Sequence, residues 1–133
     1  MTQEEFIKEL DGEDYSYKIE GGKLIVTAGD SEGNFDLYLG SIPSDVIFRN
    51  PGYVDLLYID NIPSGVDFRN GGDVRFSSVT SIEKGVHFNN HGEVYLKSIF
   101  GSWAHYWEGA IEGIGTKRLL NKMISIGLFD RRK

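Results

Sequence analysis

A twenty-residue period runs through the middle of this chain and constrains its fold more than any other feature. Phe48, Phe68 and Phe88 are twenty residues apart, and so are Val46, Val66 and Val86. Asn50, Asn70 and Asn90 keep the same interval, as do Gly52, Gly72 and Gly92, and Val54, Val74 and Val94. Ile42, Ile62 and Ile82 complete the series. A unit this short cannot bury an apolar face alone, so successive copies must stack on one another.

Within one copy the apolar positions are two apart: Val66 and Phe68, then Val74 and Phe76. That is the strand period. A helix would turn Val66 and Phe68 to opposite sides, and Gly71-Gly72 would break it. Each coil is therefore expected to hold a strand near 66–69, a bend at 70–72, and a second strand near 73–76. A third apolar segment includes Val79 and Ile82. Pro43 and Pro63 mark a corner that needs no backbone donor, with Glu83 in that place in the third copy. Parallel, in-register coils about 4.8 Å apart would put Phe48, Phe68 and Phe88 in one interior column. Asn50, Asn70 and Asn90 share that parity. Buried, they must bond to the backbone of the bend and to each other.

The ends read differently. Residues 3–10 form a short helix, with Thr2 and Glu5 as a capping box. Tyr15–Ile19 and Lys23–Thr27 alternate around Gly21-Gly22, which predicts a hairpin; an irregular first coil is the competing reading. Residues 33–37 resemble 52–56, nineteen residues earlier, so one residue is missing from the intervening turn. Beyond Ile99, Trp103, Tyr106 and Trp107 cluster where an open stack needs a plug. A helix over 116–126 follows, with Gly127 as its C-cap. The fold class is thus mainly β: a parallel β-solenoid of about four short coils, with an N-terminal helix/strand cap and a C-terminal helix cap. The expected divisions are residues 1–32 for the first cap, 33–99 for the repeats, and 100–133 for the aromatic cap and final helix.

The outward rows carry the candidate site. Ile47, Asp67 and His87 form one row, and Arg49, Arg69 and Asn89 the next. Arg49 beneath Arg69 is a like-charge stack that Asp67 can neutralise. Asp55, Arg75 and Tyr95 form a third row, where Asp55 beneath Arg75 is expected to be a favourable cross-strand pair. Arg49, Asp55, Asp67, Arg69 and Arg75 are the repeat-face candidates for binding another protein. Trp103, Tyr106 and Trp107 are the candidates at the aromatic end, either as an intramolecular plug or as a homodimer interface.

Catalytic chemistry finds little to stand on. His87 and His91 are four apart across a strand and bend, unlike a helical zinc pair, and no metal site is expected. The chain has no cysteine, so thiolate sites and disulfides are excluded. No cofactor motif and no nucleophile elbow occurs; GIGTK at 113–117 lacks the length and ending of a phosphate loop. No distinctive carboxylate pair marks a polysaccharide-acting enzyme, which stays a distant alternative. The expectation is a non-catalytic protein without a cofactor.

The net charge is −6 and is unevenly spread. Residues 1–36 hold ten acids against three lysines, and residues 115–133 hold six bases against Asp130. The repeats have no basic stripe, so direct nucleic-acid binding is not expected. A narrow stack of acids could instead mimic the phosphate rows of DNA, although Arg49, Arg69 and Arg75 interrupt them. The acidic start lacks the pattern of a signal peptide, and no apolar run spans a membrane, so a cytoplasmic protein is expected.

The lines IPSGVDFRNGGDVRF and IEKGVHFNNHGEVYLKSI resemble short bacterial and phage β-solenoid repeat proteins. In those, isoleucine-proline-x-glycine-valine is followed by phenylalanine-x-asparagine and glycine-x-valine-x-leucine. They are similar in logic to leucine-rich and pentapeptide repeats. The resemblance covers about residues 33–99 and implies a parallel β-solenoid. It also implies a host-interaction setting, including inhibition of bacterial defence, but carries over no functional residue. The functional expectation is a protein-binding module, with an acidic inhibitor or DNA mimic as the alternative.

Overall fold

The computed structural model describes residues 1–96, 116–127 and 129–130. Helix α1 (Gln3–Gly12) starts at the capping box, where Thr2 Oγ1 accepts from Glu5 N and a Glu5 carboxylate oxygen accepts from Thr2 N. Strands β1 (Ser16–Glu20) and β2 (Lys23–Ala28) form the expected antiparallel hairpin. Gly21 and Gly22, both at positive φ, close its two-residue turn. Strand β2 has a second role. Ile25 and Val26 pair in parallel with Ile47 and Phe48, so the hairpin also supplies the first rung of the stack. The two readings of the double glycine are therefore reconciled.

The coils follow as short strands: β3 (Phe35–Leu37), β4 (Ile47–Phe48), β5 (Val54–Leu56), β6 (Asn61–Ile62) and β7 (Asp67–Phe68). Then come β8 (Val74–Phe76), β9 (Ser81–Ile82), β10 (His87–Phe88) and β11 (Val94–Leu96). They assemble into three sheets, one on each side of the coil. The first runs β1-β2-β4-β7-β10, the second β3-β5-β8-β11, and the third β6-β9. Every repeat pairing is parallel and twenty residues apart, except that Phe35 meets Val54 at nineteen. This is a mainly β, parallel solenoid of about four turns.

The core is a set of one-residue columns. Val46, Val66 and Val86 are buried, as are Ile42, Ile62 and Ile82. Phe48, Phe68 and Phe88 stack nearly parallel, with centroids 5.2 and 4.9 Å apart. Phe76 meets Phe68 and Phe88 edge-on. The edge-on contacts of Phe76 are a favourable arrangement for aromatic quadrupoles. Gly72 recurs for a steric reason: a Cβ there would meet Gly52 C and Tyr53 N of the coil below at 3.0 Å.

Asn50, Asn70 and Asn90 point inward at the bend, as the parity requires. Asn70 Nδ2 donates to the carbonyls of Gly52, Gly72 and Asp73 at 3.0–3.1 Å. Asn50 and Asn90 repeat this with Gly33, Gly52 and Tyr53, and with Gly72, Gly92 and Glu93. The side chains do not bond to each other, which corrects one part of the expected ladder. Each Nδ2 spans from its own coil to the one below, and the three Oδ1 atoms are buried without a hydrogen-bond partner.

Both ends are plugged. Phe6 and Leu10 of α1 are buried at the first end, and Phe6 meets Phe35 edge-on at 6.4 Å. Helix α2 (Thr116–Ser125) seals the other with Leu120 and Ile124, and Phe129 is buried behind it. Gly127, at φ 77°, ends the helix as expected. Asn121 then does what another strand would do for β10. Its Oδ1 accepts from Phe88 N at 2.7 Å and its Nδ2 donates to Phe88 O at 2.8 Å. The carbonyl of Phe129 accepts from Ile82 N on β9. Trp103, Tyr106 and Trp107 lie outside the described residues.

Candidate functional site

The second sheet brings Asp36, Asp55, Arg75 and Tyr95 into one outward row by direct register. Asp36 enters this row because the first coil is one residue short, a shift visible in the sequence. Tyr53, just before β5, leans over the same row, and its hydroxyl donates to Asp36 Oδ2 at 3.0 Å. Burial and this bond to a carboxylate push the Tyr53 phenol up to about 12.

Arg75 is held between two rings. Its guanidinium carbon lies 5.3 Å from the Tyr53 centroid and 5.9 Å from that of Tyr95, within cation–π range. It pairs with Asp73 of its own coil at 3.6 Å. The sequence suggested an Asp55–Arg75 pair. The structure aligns the two residues but gives the ion pair to Asp73, with the guanidinium lying between the two tyrosine rings.

Asp55 is consequently left exposed to an unfavourable environment. Its Oδ1 is buried without a hydrogen-bond partner. Desolvation and the neighbouring Asp36 raise its pKa, and Arg75 offsets this only in part. Asp55, Arg75, Phe76, Ser77 and Tyr95 line a shallow depression of about 380 Å³. The row thus combines a braced cation, two aromatic rings and an acceptor in want of a donor.

The first sheet's outward rows are more self-contained. Arg69 Nε donates to Asp67 Oδ2 at 2.8 Å, so Asp67 neutralises this arginine as expected. Asn89 Nδ2 reaches Asp67 Oδ1 at 3.3 Å and lies 3.2 Å from His87 Nδ1. Arg49 is solvent-exposed at the edge of this group. Of the five repeat-face candidates, the fold therefore separates Arg49, Asp67 and Arg69 on one sheet from Asp55 and Arg75 on another.

A third area lies where α2 meets β10. His87, Asn89, Asn90, Lys117, Arg118 and Asn121 line a cleft of about 500 Å³. Lys117 Nζ donates to the Asn90 carbonyl, so the charge that suits a helix start poorly is used to anchor the helix to the body.

Several contributors were not singled out from sequence. Tyr53 gives no repeating signal because Asp73 and Glu93 follow it in its column, and Asp36 lies nineteen rather than twenty residues before Asp55, outside the exact period. Glu83, in place of proline, is buried; it accepts from Asn61 Nδ2 at 2.6 Å and Ser64 N at 3.0 Å. Asn121 sits beside an apolar stripe and gave no signal of its strand-like role.

Among the described residues, no group of three or more His, Cys, Asp or Glu converges as metal ligands. No described helix is long and apolar enough to cross a membrane. The coils and their plugs define a parallel β-solenoid repeat protein with a twenty-residue period. No protein-family model, curated protein or solved structure matches the chain.

Proposed function

We propose that this chain is a non-catalytic protein-binding module whose partner reads the Tyr53–Arg75–Tyr95 face of the second sheet. The observation that carries the reading is Arg75 braced between two tyrosine rings beside the unpartnered Oδ1 of Asp55. Arginine and tyrosine are the side chains that most often dominate binding energy at interfaces. Their mutual stacking fixes the conformation before a partner arrives, which lowers the entropic cost of association. A cationic donor from the partner, such as a lysine, would satisfy the Asp55 carboxylate.

The alternative of an acidic mimic of DNA has less to draw on. Asp67 is engaged by Arg69 and Asp73 by Arg75, so two of its acids are partly neutralised within the chain.

The test pairs binding with stability. Pull-downs from the native host would compare the wild type with Arg75→Glu, Asp55→Asn and an Arg49→Glu/Arg69→Glu control. Loss of the same captured protein with the first two variants, and its retention with the control, supports the reading. Asp55→Asn should nevertheless raise folding stability by about 0.5 kcal/mol at pH 7, by removing a like-charge pair. Because the folded-state pKa of Asp55 is raised, protonation stabilises the fold. That contribution is present below its unfolded pKa and lost as pH rises through the folded one. The advantage of the asparagine should therefore fade on acidification. Capture that survives both Arg75→Glu and Asp55→Asn overturns the assignment of this face, and capture strengthened by all three arginine reversals favours the mimic.

A further inference from the structure

We infer that the outer edge of β1 is a self-complementary docking strand that pairs two copies of this chain about a two-fold axis. The argument is independent of the partner-binding face on the second sheet. It begins with how three other sheet edges, those of β10, β9 and β3, are treated. Asn121 covers β10, the Phe129 carbonyl meets β9, and the Tyr15 hydroxyl donates to Asp36 O on β3. Among the described residues, none makes a hydrogen bond to the outer side of β1.

The hairpin decides which groups face outward. A two-residue turn makes Glu20 and Lys23 a hydrogen-bonded pair, and alternation makes Lys18 and Ile25 the next. The backbone groups of Tyr17 and Ile19 therefore point away from β2. Ile19 is also 51% exposed, one of few large apolar side chains left so open among the described residues.

Charge then selects the occupant and its register. Lys18 and Glu20 stand on one face of β1, with a 2.9 Å ion pair between them. In an antiparallel pairing centred on Ile19, Ile19 faces Ile19 of the second copy. Lys18 of each copy then stands opposite Glu20 of the other, giving two favourable cross-strand pairs by symmetry. Moving the centre to Lys18 would oppose lysine to lysine. The edge of one strand thus carries the complement of itself, and the first sheet would continue from one copy into the next.

The contact is short, so the association should be weak and visible only at high concentration. Sedimentation equilibrium of the full chain from about 10 µM to 1 mM would span the range expected for such a small interface. Wild type should shift from monomer to dimer across it. Lys18→Glu and Glu20→Lys should each weaken the dimer by about tenfold or more, since each turns both cross-strand pairs repulsive. The double variant Lys18→Glu/Glu20→Lys restores opposite charges in the same register and should regain wild-type association. Both positions of substitution are exposed surface, and unchanged circular dichroism would show that the fold is intact. A wild type monomeric throughout overturns the inference. So does dimerisation indifferent to the single reversals, which would place the contact elsewhere, or a double variant that fails to recover.

Discussion

Asn70 shows how much a single side chain can be asked to do. Its Nδ2 ties together three carbonyls from two coils, and nothing else on the side chain is hydrogen-bonded. The residue type is therefore dictated by donor capacity rather than by polarity. Asn70→Ala should cost about 2–4 kcal/mol, because buried carbonyls lose their donor. Asn70→Asp is nearly isosteric but would set a carboxylate against those oxygens in a buried site. It should cost more than alanine at pH 7, about 4 kcal/mol or greater, and recover part of the loss as acidification protonates it. Urea unfolding of both variants at pH 7 and pH 4 checks the order and its pH dependence. The inward direction of this residue was legible from parity with Phe68. Its particular partners were not, because a twenty-residue interval says which residues stack but not which atoms of a bend come within 3 Å.

At the scale of elements, the strands were readable and the devices that end them were not. Columns of valine and phenylalanine declare themselves by repetition. A terminator occurs once and has no second copy to reveal it. Asn121 is the instance here: on sequence it is one polar residue in an amphipathic helix, yet it supplies both halves of a strand pairing to Phe88. Glu83 is another, a carboxylate that binds the corner where its counterparts are prolines. The outward site divides in the same way. Asp55, Arg75 and Tyr95 were aligned correctly by the period, but the capture of Arg75 by Tyr53 depends on side-chain reach across a bend. Asn121→Leu should destabilise the fold by about 2–4 kcal/mol, since a backbone donor and acceptor on β10 lose their partner together. Chemical denaturation measures the loss. Faster hydrogen exchange at the Phe88 amide, with little change at Phe48, would locate it.

For the molecule as a whole, stability should follow the number of coils. Each middle coil makes the same contacts with the coil before and the coil after, so stability approximates a sum over neighbours. Inserting a second copy of residues 61–80 directly after Thr80 adds one complete coil without changing either plug. The longer chain should remain folded and gain about 1–3 kcal/mol, as an added interface outweighs the ordering of its residues. A higher denaturation midpoint with a steeper transition is the expected result. A lower midpoint would mean that the ends are matched to this particular length.

That expectation gives Asn121 a different meaning. The stack is a one-dimensional crystal whose layers are nearly interchangeable, and nothing within a layer says how many should follow. A crystal of that kind stops growing when its advancing face is occupied by something that fits the lattice on one side and offers no lattice on the other. Asn121 presents a strand's hydrogen bonds to Phe88 and a helix to whatever lies beyond. The size of this protein is thus set at its growing face, by an adsorbed impurity that its own chain carries.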